Sequence, residues 1–184
     1  MPFSDLGFAV TSSSHRVRRT FGFLDLCGFT AYSNTRGDES AVAQLAAFRA
    51  IVRSVGSATG VRIAKWLGDG AMLVGLEPPA LVSAVLEVSR RMQAEGMELA
   101  LHAGVVQGQV ILFEGDDHIG QSVNLAARLA ELAEPWQVLA PADLIPGLAG
   151  TGAVLGAVEV AGWDHPIAVA DLAKAMTLVE ALNL

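Results

Sequence analysis

The sequence predicts an α+β fold with a ferredoxin-like βαββαβ core, in which helices pack on one face of a mainly antiparallel sheet and further strands follow at the C-terminal end. The predicted elements alternate as strand, helix, hairpin, helix, hairpin, helix and then strands. An Asp-Gly turn at residues 68–70 joins two apolar runs, and this pattern is a strong signal for a β-hairpin. A doubly wound parallel fold would not place such a hairpin at its centre. With 184 residues, of which 52% are apolar, the chain is large enough for one well-buried core.

The first half of the chain predicts a strand, a long helix and a hairpin. Residues 21–26 form a short apolar run typical of a buried strand. An apolar stripe at helical spacing then begins near Asp38 and ends at Gly60. The stripe consists of Val42, Leu45, Phe48, Val52 and Val55. Residues 61–67 and 71–76 are the two strands of the Asp-Gly hairpin.

The next segment predicts two more helices separated by a second hairpin. Pro78 is in place to open a helix. Its apolar stripe consists of Leu81, Val85, Val88 and Met92. Residues 98–104 and 109–113 are predicted to pair as a hairpin, and the helix that follows is expected to run to Glu134, where Pro135 stops it.

The C-terminal part predicts strands and completes a single domain. Residues 137–140 form a short strand, and residues 153–160 and 166–171 predict a last antiparallel pair followed by a short helical tail. No internal repeat or long linker divides the chain. We therefore expect a lead-in over residues 1–16 and one domain over residues 17–184.

Composition excludes several classes of protein. The net charge of −7 argues against a nucleic-acid-binding surface. No apolar run reaches the ~18 residues of a membrane helix, and the N-terminus lacks the pattern of a signal peptide. Cys27 is the only cysteine, so no internal disulfide can form. These features predict a cytoplasmic protein that binds neither nucleic acid nor a membrane.

Two aspartates are candidate metal ligands. Asp25 and Asp69 each end an apolar strand at a glycine-rich turn, and the predicted topology makes these strands neighbours. Paired carboxylates suit hard cations such as Mg²⁺, and backbone N–H groups of residues 28–30 are placed to cradle phosphates at a helix start. Taken singly, Asp25 as a helix N-cap and Asp69 as an ordinary turn residue are the simpler interpretations. Taken together, the two favour a metal site.

A second group of polar residues is suited to a phosphorylated ligand. Asn124 and Arg128 are four residues apart on a predicted helix, so they share one face. The alternative is that Arg128 forms a surface ion pair with Glu131 or Glu134.

Lys65 and Asp117 also admit plain surface roles. Lys65 lies ~13 Å along its strand from Asp69, so the two are not a tight pair, and Lys65 alone is compatible with a side chain that snorkels from a sheet edge. Asp117 alone is compatible with a solvated hairpin tip.

Three blocks of the sequence, residues 23–30, 65–69 and 117–128, resemble the signature blocks of the class III nucleotidyl cyclases. Their order and approximate spacing match, and the resemblance extends from about residue 18 to residue 171. Three blocks in register are a specific signal, whereas any one of them would be weak.

The resemblance implies an adenylate cyclase with two divalent cations, Mg²⁺ or Mn²⁺, at each site. It implies that Asp25 and Asp69 bind the metals with help from the backbone carbonyl of Leu26, and that Gly28, Phe29 and Thr30 contact the phosphates. It further implies that the active sites lie between the two protomers of a homodimer, one chain supplying the metal ligands and the other the remaining groups.

The same resemblance assigns the remaining roles. Lys65 and Asp117 select the base, Asn124 orients the ribose, and Arg128 stabilises charge on the α-phosphate. A lysine donor beside an aspartate acceptor matches the N1 and N6 positions of adenine and mismatches guanine, which favours ATP.

Two alternatives follow from what the sequence lacks or shares. Residues 158–166 contain no Lys or Arg where many family members carry a phosphate-binding lysine, which slightly favours a cyclase-like dimerisation or nucleotide-sensing module without turnover. A diguanylate cyclase or polymerase-type palm shares the hairpin aspartate, but it does not carry the pair of Lys65 and Asp117 or the helix with Asn124 and Arg128.

Overall fold

An eight-stranded sheet lies at the centre of the computed structural model, which describes residues 16–114, 117–148 and 152–176. The strands are β1 (Arg16–Leu26), β2 (Arg62–Leu67), β3 (Gly70–Gly75), β4 (Leu101–Phe113), β5 (Asp117–Ile119), β6 (Val138–Pro141), β7 (Val154–Val158) and β8 (Ile167–Asp171). The helices are α1 (Phe29–Arg36), α2 (Asp38–Thr59), α3 (Pro78–Ala94) and α4 (Gln121–Leu132). Residues 172–176 are also helical.

The strand order is β2-β3-β1-β4-β6-β8-β7, and β5 pairs with β4 off this path. All the pairings are antiparallel except that of β4 with β6. The predicted α+β class with a mainly antiparallel sheet is confirmed. The predicted C-terminal strand pair is also confirmed, as β7 and β8, whereas residues 1–15 of the lead-in lie outside the described residues.

Helices cover both faces of the sheet, not one. Alternate residues of β1 point to opposite faces. Leu24 joins the core formed with α2 and α3, whereas Phe21 and Phe23 join a second core with α4. The expectation of helices on one face therefore applies to α2 and α3 only. The α4 side of the sheet is the face that carries the candidate site.

The predicted apolar stripes form the buried faces of α2 and α3, with one exception. All four stripe residues of α3 are fully buried, as are Phe48, Val52 and Val55 of α2. The prediction of Val42 as a core residue is wrong, because this side chain near the start of α2 is 63% exposed. The short helix α1 has no buried residue and no apolar stripe, so periodicity did not predict it.

The predicted hairpin of residues 98–104 and 109–113 is wrong, because residues 101–113 form the single strand β4. Gly104 and Gly108 are not turn residues. A Cβ atom at Gly104 would lie 2.2 Å from the carbonyl oxygen of Ala126, and one at Gly108 would lie 2.7 Å from Cβ of Ser122. These glycines let α4 approach the strand closely, and the real hairpin is formed by β4 and β5. Across the described residues, no helix combines the length and apolarity needed to cross a membrane.

Candidate active site

Asp25 and Asp69 meet at one corner of the sheet. Asp25 lies at the end of β1, and Asp69 lies in the turn between β2 and β3, the strand that pairs with β1. The first residue of β3, Gly70, makes room for this approach, since a Cβ atom there would lie 2.7 Å from Oδ1 of Asp25. Partial burial raises the pKa of Asp69, and the negative charge of Asp25 raises it further. The two carboxylates are therefore close enough to repel each other.

The donor set of this corner fits a divalent cation that is shared with a phosphate ligand. Across residues 16–114, 117–148 and 152–176, no group of three or more His, Cys, Asp and Glu side chains is placed to hold a metal. Mg²⁺ does not need such a group, because it keeps several waters and binds through one or two carboxylates together with substrate phosphates. The Asp25 side chain is 43% exposed and thus accessible to such a ligand. The contribution of the Leu26 carbonyl stays a prediction.

His102 contacts the same corner, and the sequence did not indicate this. It lies directly opposite Asp25 in the pairing of β1 with β4, and its Nε2 is 3.5 Å from Oδ2 of Asp25. The hydrogen bond to Asp25 raises the pKa of His102, burial opposes this shift, and hydrogen bonds to the backbone of Ala133 and Ala130 support it. Only the strand register brings these residues together, and the register is not visible in the sequence.

Lys65 and Asp117 form an ion pair through Nζ and Oδ1. Their side chains are each about half exposed, and 52 residues separate them in the chain. An irregularity in β2 between Ile63 and Lys65 places Lys65 opposite Met72, on the α4 face of the sheet. The structure thus brings together two residues that sequence reasoning grouped only through the family resemblance.

A further contact supports the turn that presents Asp69. Arg49 on α2 donates a hydrogen bond from Nη2 to the carbonyl oxygen of Gly68 at 2.9 Å. Its guanidinium carbon is also 5.0 Å from the ring centroid of Trp66, and that of Arg53 is 5.1 Å away. α2 therefore holds the turn in place, a role that its apolar stripe did not reveal.

Asn124 and Arg128 lie exposed on α4 and line a groove of about 530 Å³. Trp163, from the loop between β7 and β8, lies on the same groove. Arg128 pairs with Glu131 through Nη1 and Oε2 at 2.7 Å, so the surface ion pair expected as an alternative is present. Neither Asp25 nor Asp69 lines this groove.

The segment after β1 is open at the start of α1. Gly28 adopts a left-handed backbone conformation with φ of 70°, and the Phe29 and Thr30 amides begin the helix. Backbone N–H groups at a helix start favour anions. Burial raises the pKa of the neighbouring Cys27 thiol, and the charge of Asp25 raises it further, so Cys27 is not an activated nucleophile.

Comparisons with known proteins identify the fold and several sequence relatives. An uncharacterized protein of Mycobacterium tuberculosis is 35% identical over 164 residues, which cover 89% of this chain and 43% of that protein. An adenylate cyclase of Glutamicibacter nicotianae is 36% identical over 127 residues, which cover 68% of this chain and 31% of that protein. The chain thus spans less than half the length of these relatives. No protein-family model matches it.

Among solved structures, the adenylyl cyclase CyaB from P. aeruginosa superposes with a TM-score of 0.71 at 24% identity, covering 85% of this chain and 94% of that chain. The guanylate cyclase domain of RhGC from Catenaria anguillulae, in complex with GTP, has a TM-score of 0.71 at 18% identity and covers 85% and 97%. The fold is that of class III cyclase catalytic domains. Those of its sequence relatives that carry a functional name are adenylate cyclases, at 30–36% identity.

Proposed function

We propose that the chain is an adenylate cyclase, which converts ATP to 3′,5′-cyclic AMP and pyrophosphate at sites shared by two protomers, and that it acts in the cytoplasm. The observation that carries the proposal is the ion pair of Lys65 with Asp117, which presents a donor and an acceptor side by side. This ion pair lies on the same face of the sheet as the Asp25 side chain. Cyclase structures of both base specificities share the fold, so the base preference rests on these two side chains.

The pair matches adenine. Adenine accepts a hydrogen bond at N1 and donates one from its 6-amino group, whereas guanine presents a donor at N1 and an acceptor at O6. Lys65 can donate to N1 while Asp117 accepts from the amino group, so both side chains are satisfied. With guanine, each would face a group of its own kind, and such unpaired groups cost up to about 10⁴-fold in discrimination.

The remaining residues provide for the transfer step. The ribose 3′-hydroxyl attacks the α-phosphorus, the new O3′–P bond forms, and the bond to the bridging oxygen of the leaving pyrophosphate breaks while the hydroxyl proton passes to solvent. Asn124 orients the ribose, and Arg128 offers its guanidinium to the charge that develops on the α-phosphate. Residues 28–30 hold the terminal phosphates through backbone N–H groups.

Divalent cations held by Asp25, Asp69 and the carbonyl of Leu26 would neutralise the triphosphate and acidify the attacking hydroxyl. Mg²⁺ and Mn²⁺ both suit this oxygen donor set. Once nucleotide is bound, Arg128 exchanges its contact with Glu131 for the phosphate.

A homodimer explains why the polar groups are distributed as they are. The groove with Asn124 and Arg128 does not include Asp25 or Asp69, which supports a site completed by a second chain. Two copies related by a two-fold axis would place the groove of one chain against the corner of the other, and two equivalent sites would result.

The test is an assay of the purified chain with ATP or GTP, each with Mn²⁺ or Mg²⁺, followed by chromatography of the products. We expect cyclic AMP from ATP, little cyclic GMP from GTP, and no product from the Asp25→Asn variant. Absence of cyclic AMP under all four conditions would overturn the proposal. Equal rates with ATP and GTP would overturn the assigned role of Lys65 and Asp117.

One observation favours a second candidate, a dimerisation or nucleotide-sensing module without turnover. Residues 158–166 offer no lysine or arginine for the terminal phosphates, and Arg128 is already paired with Glu131. Such a module would bind ATP in equilibrium dialysis and form dimers, but it would release no pyrophosphate.

A further inference from the structure

His102 is the side chain that connects the carboxylate corner with the helix of Asn124 and Arg128. Its Nε2 lies 3.5 Å from Oδ2 of Asp25 on one side. On the other side, the backbone of Ala130 and Ala133, at the C-terminal end of α4, is close enough to the imidazole to help raise the pKa of His102. The side chain is only 16% exposed, so it has little freedom to leave these partners.

The C-terminal end of α4 favours a proton-donating or positive group beside it. The last carbonyl groups of a helix have no partner within the helix, and their dipoles attract positive or proton-donating groups. α4 ends at Leu132 with no basic residue in its last turn. The imidazole of His102 lies beside this end of the helix, on β4, a strand that α4 approaches closely at Gly104.

We propose that His102 is a positioning residue that fixes Asp25 relative to α4, and thereby couples the two halves of the catalytic machinery carried on each chain. The inference rests on the proposed function, in which Asp25 serves one site of the dimer and the Arg128 of the same chain serves the other. When a metal binds at Asp25 and Asp69 in one site, the effect is transmitted through His102 to α4 of the same chain. The Asn124 and Arg128 side chains on this helix serve the second site.

The first test measures metal binding without nucleotide. Free Mn²⁺ is followed by electron paramagnetic resonance during titration of the full chain, its His102→Leu variant and its His102→Gln variant. Loss of a residue that orients a metal ligand typically weakens metal binding 10- to 100-fold, so we expect His102→Leu to raise the Mn²⁺ Kd at least about tenfold. His102→Gln, whose amide nitrogen can reach the position of Nε2, should stay within about threefold of the parent, by the same scale.

A matched control lies on the same strand. Gln107 is a polar residue on the opposite face of β4, where its amide contacts Thr20 and the carbonyl of Leu76. Gln107→Leu should leave the Mn²⁺ Kd unchanged. If His102→Leu also leaves it unchanged, or if His102→Gln weakens binding as much as His102→Leu, the proposal is overturned. Should His102→Leu fail to fold, His102→Asn, which is too short to reach Asp25, takes its place against His102→Gln.

The second test addresses the coupling itself. Amide hydrogen exchange of residues 129–134 is measured with and without Mn²⁺. In the parent chain, Mn²⁺ should slow exchange in this segment, and in His102→Leu at saturating Mn²⁺ the effect should vanish. No effect of Mn²⁺ in the parent would refute the coupling. Neither test requires turnover, so they decide the role of His102 even if the parent chain forms no cyclic AMP and the proposed function fails.

Discussion

Gly104 is the position where one added methyl group should affect the active site most directly. In the Gly104→Ala variant, the new Cβ atom would lie 2.2 Å from the carbonyl oxygen of Ala126 and 2.5 Å from the backbone nitrogen of Ala130. Both atoms belong to the backbone of α4, so no side-chain rotation can relieve the overlap. The helix must retreat by about 1.2 Å, the difference between 2.2 Å and the 3.4 Å at which ordinary contact begins.

This displacement has two measurable consequences. Overpacking of this kind typically costs about 1–3 kcal/mol, which urea unfolding measures as a fall in the free energy of unfolding. Because Asn124 and Arg128 move with α4, and a misplacement of about 1 Å can cost 10²-fold in rate, we expect kcat for cyclic AMP formation to fall about a hundredfold.

Gly75→Ala is the matched control. A Cβ atom at Gly75 would lie 3.3 Å from the nearest atom, Cβ of Leu81 on α3, so α3 would have to shift by only about 0.1 Å to reach the 3.4 Å of ordinary contact. We expect this variant to change kcat less than about twofold, as for a substitution whose neighbours can relax. If Gly104→Ala retained full activity and lost less than about 0.5 kcal/mol of stability, the close approach of α4 to β4 would be refuted.

Three further outcomes follow from the contacts of single side chains. Lys65→Met removes a charged hydrogen-bond donor worth about 1.5–3 kcal/mol, so the KM for ATP should rise at least about tenfold, with a smaller change for GTP. Initial-rate measurements test this, and an unchanged KM for ATP would contradict the role of Lys65 in recognising the base. Glu131→Gln breaks an exposed i,i+3 ion pair worth about 0.2–0.5 kcal/mol and frees Arg128 on α4, so the KM for ATP should fall by up to about twofold. A rise in KM would show that Glu131 assists binding. Glu87 has its pKa lowered to about 2, mainly by hydrogen bonds from Arg90 and Arg91, so it stabilises the fold above pH 4.5 and loses this contribution as the pH falls towards 2. Glu87→Gln should therefore cost less than about 1 kcal/mol at pH 7 and progressively less below pH 4.5 in urea unfolding, whereas a cost that does not change with pH would argue against the ion pairs.

Local signals in the sequence predicted the elements that depend on local chemistry. The Asp-Gly turn at residues 68–70 predicted the β2–β3 hairpin, and the stripe that includes Leu81 and Met92 predicted the buried face of α3. The motif blocks predicted a resemblance to class III nucleotidyl cyclases, which the comparisons confirm.

Predictions failed where a residue's role is set by distant parts of the chain. The sequence predicted a hairpin of residues 98–104 and 109–113, but Gly104 and Gly108 lie inside the continuous strand β4, where the close approach of α4 requires them. Val42 fits the helical period of α2, yet it lies where no other element of the described residues covers it. The contact of His102 with Asp25 depends on strand register, which no local pattern encodes.

The central claim, that each active site is built from two chains, is tested by mixing the Asp25→Ala and Arg128→Ala variants, each inactive alone. Random exchange makes about half of the dimers mixed, and each mixed dimer contains one intact site of two, so the mixture should recover about a quarter of the parent cyclic AMP formation. A mixture that dimerises but stays inactive would contradict the account and place the complete site within one protomer.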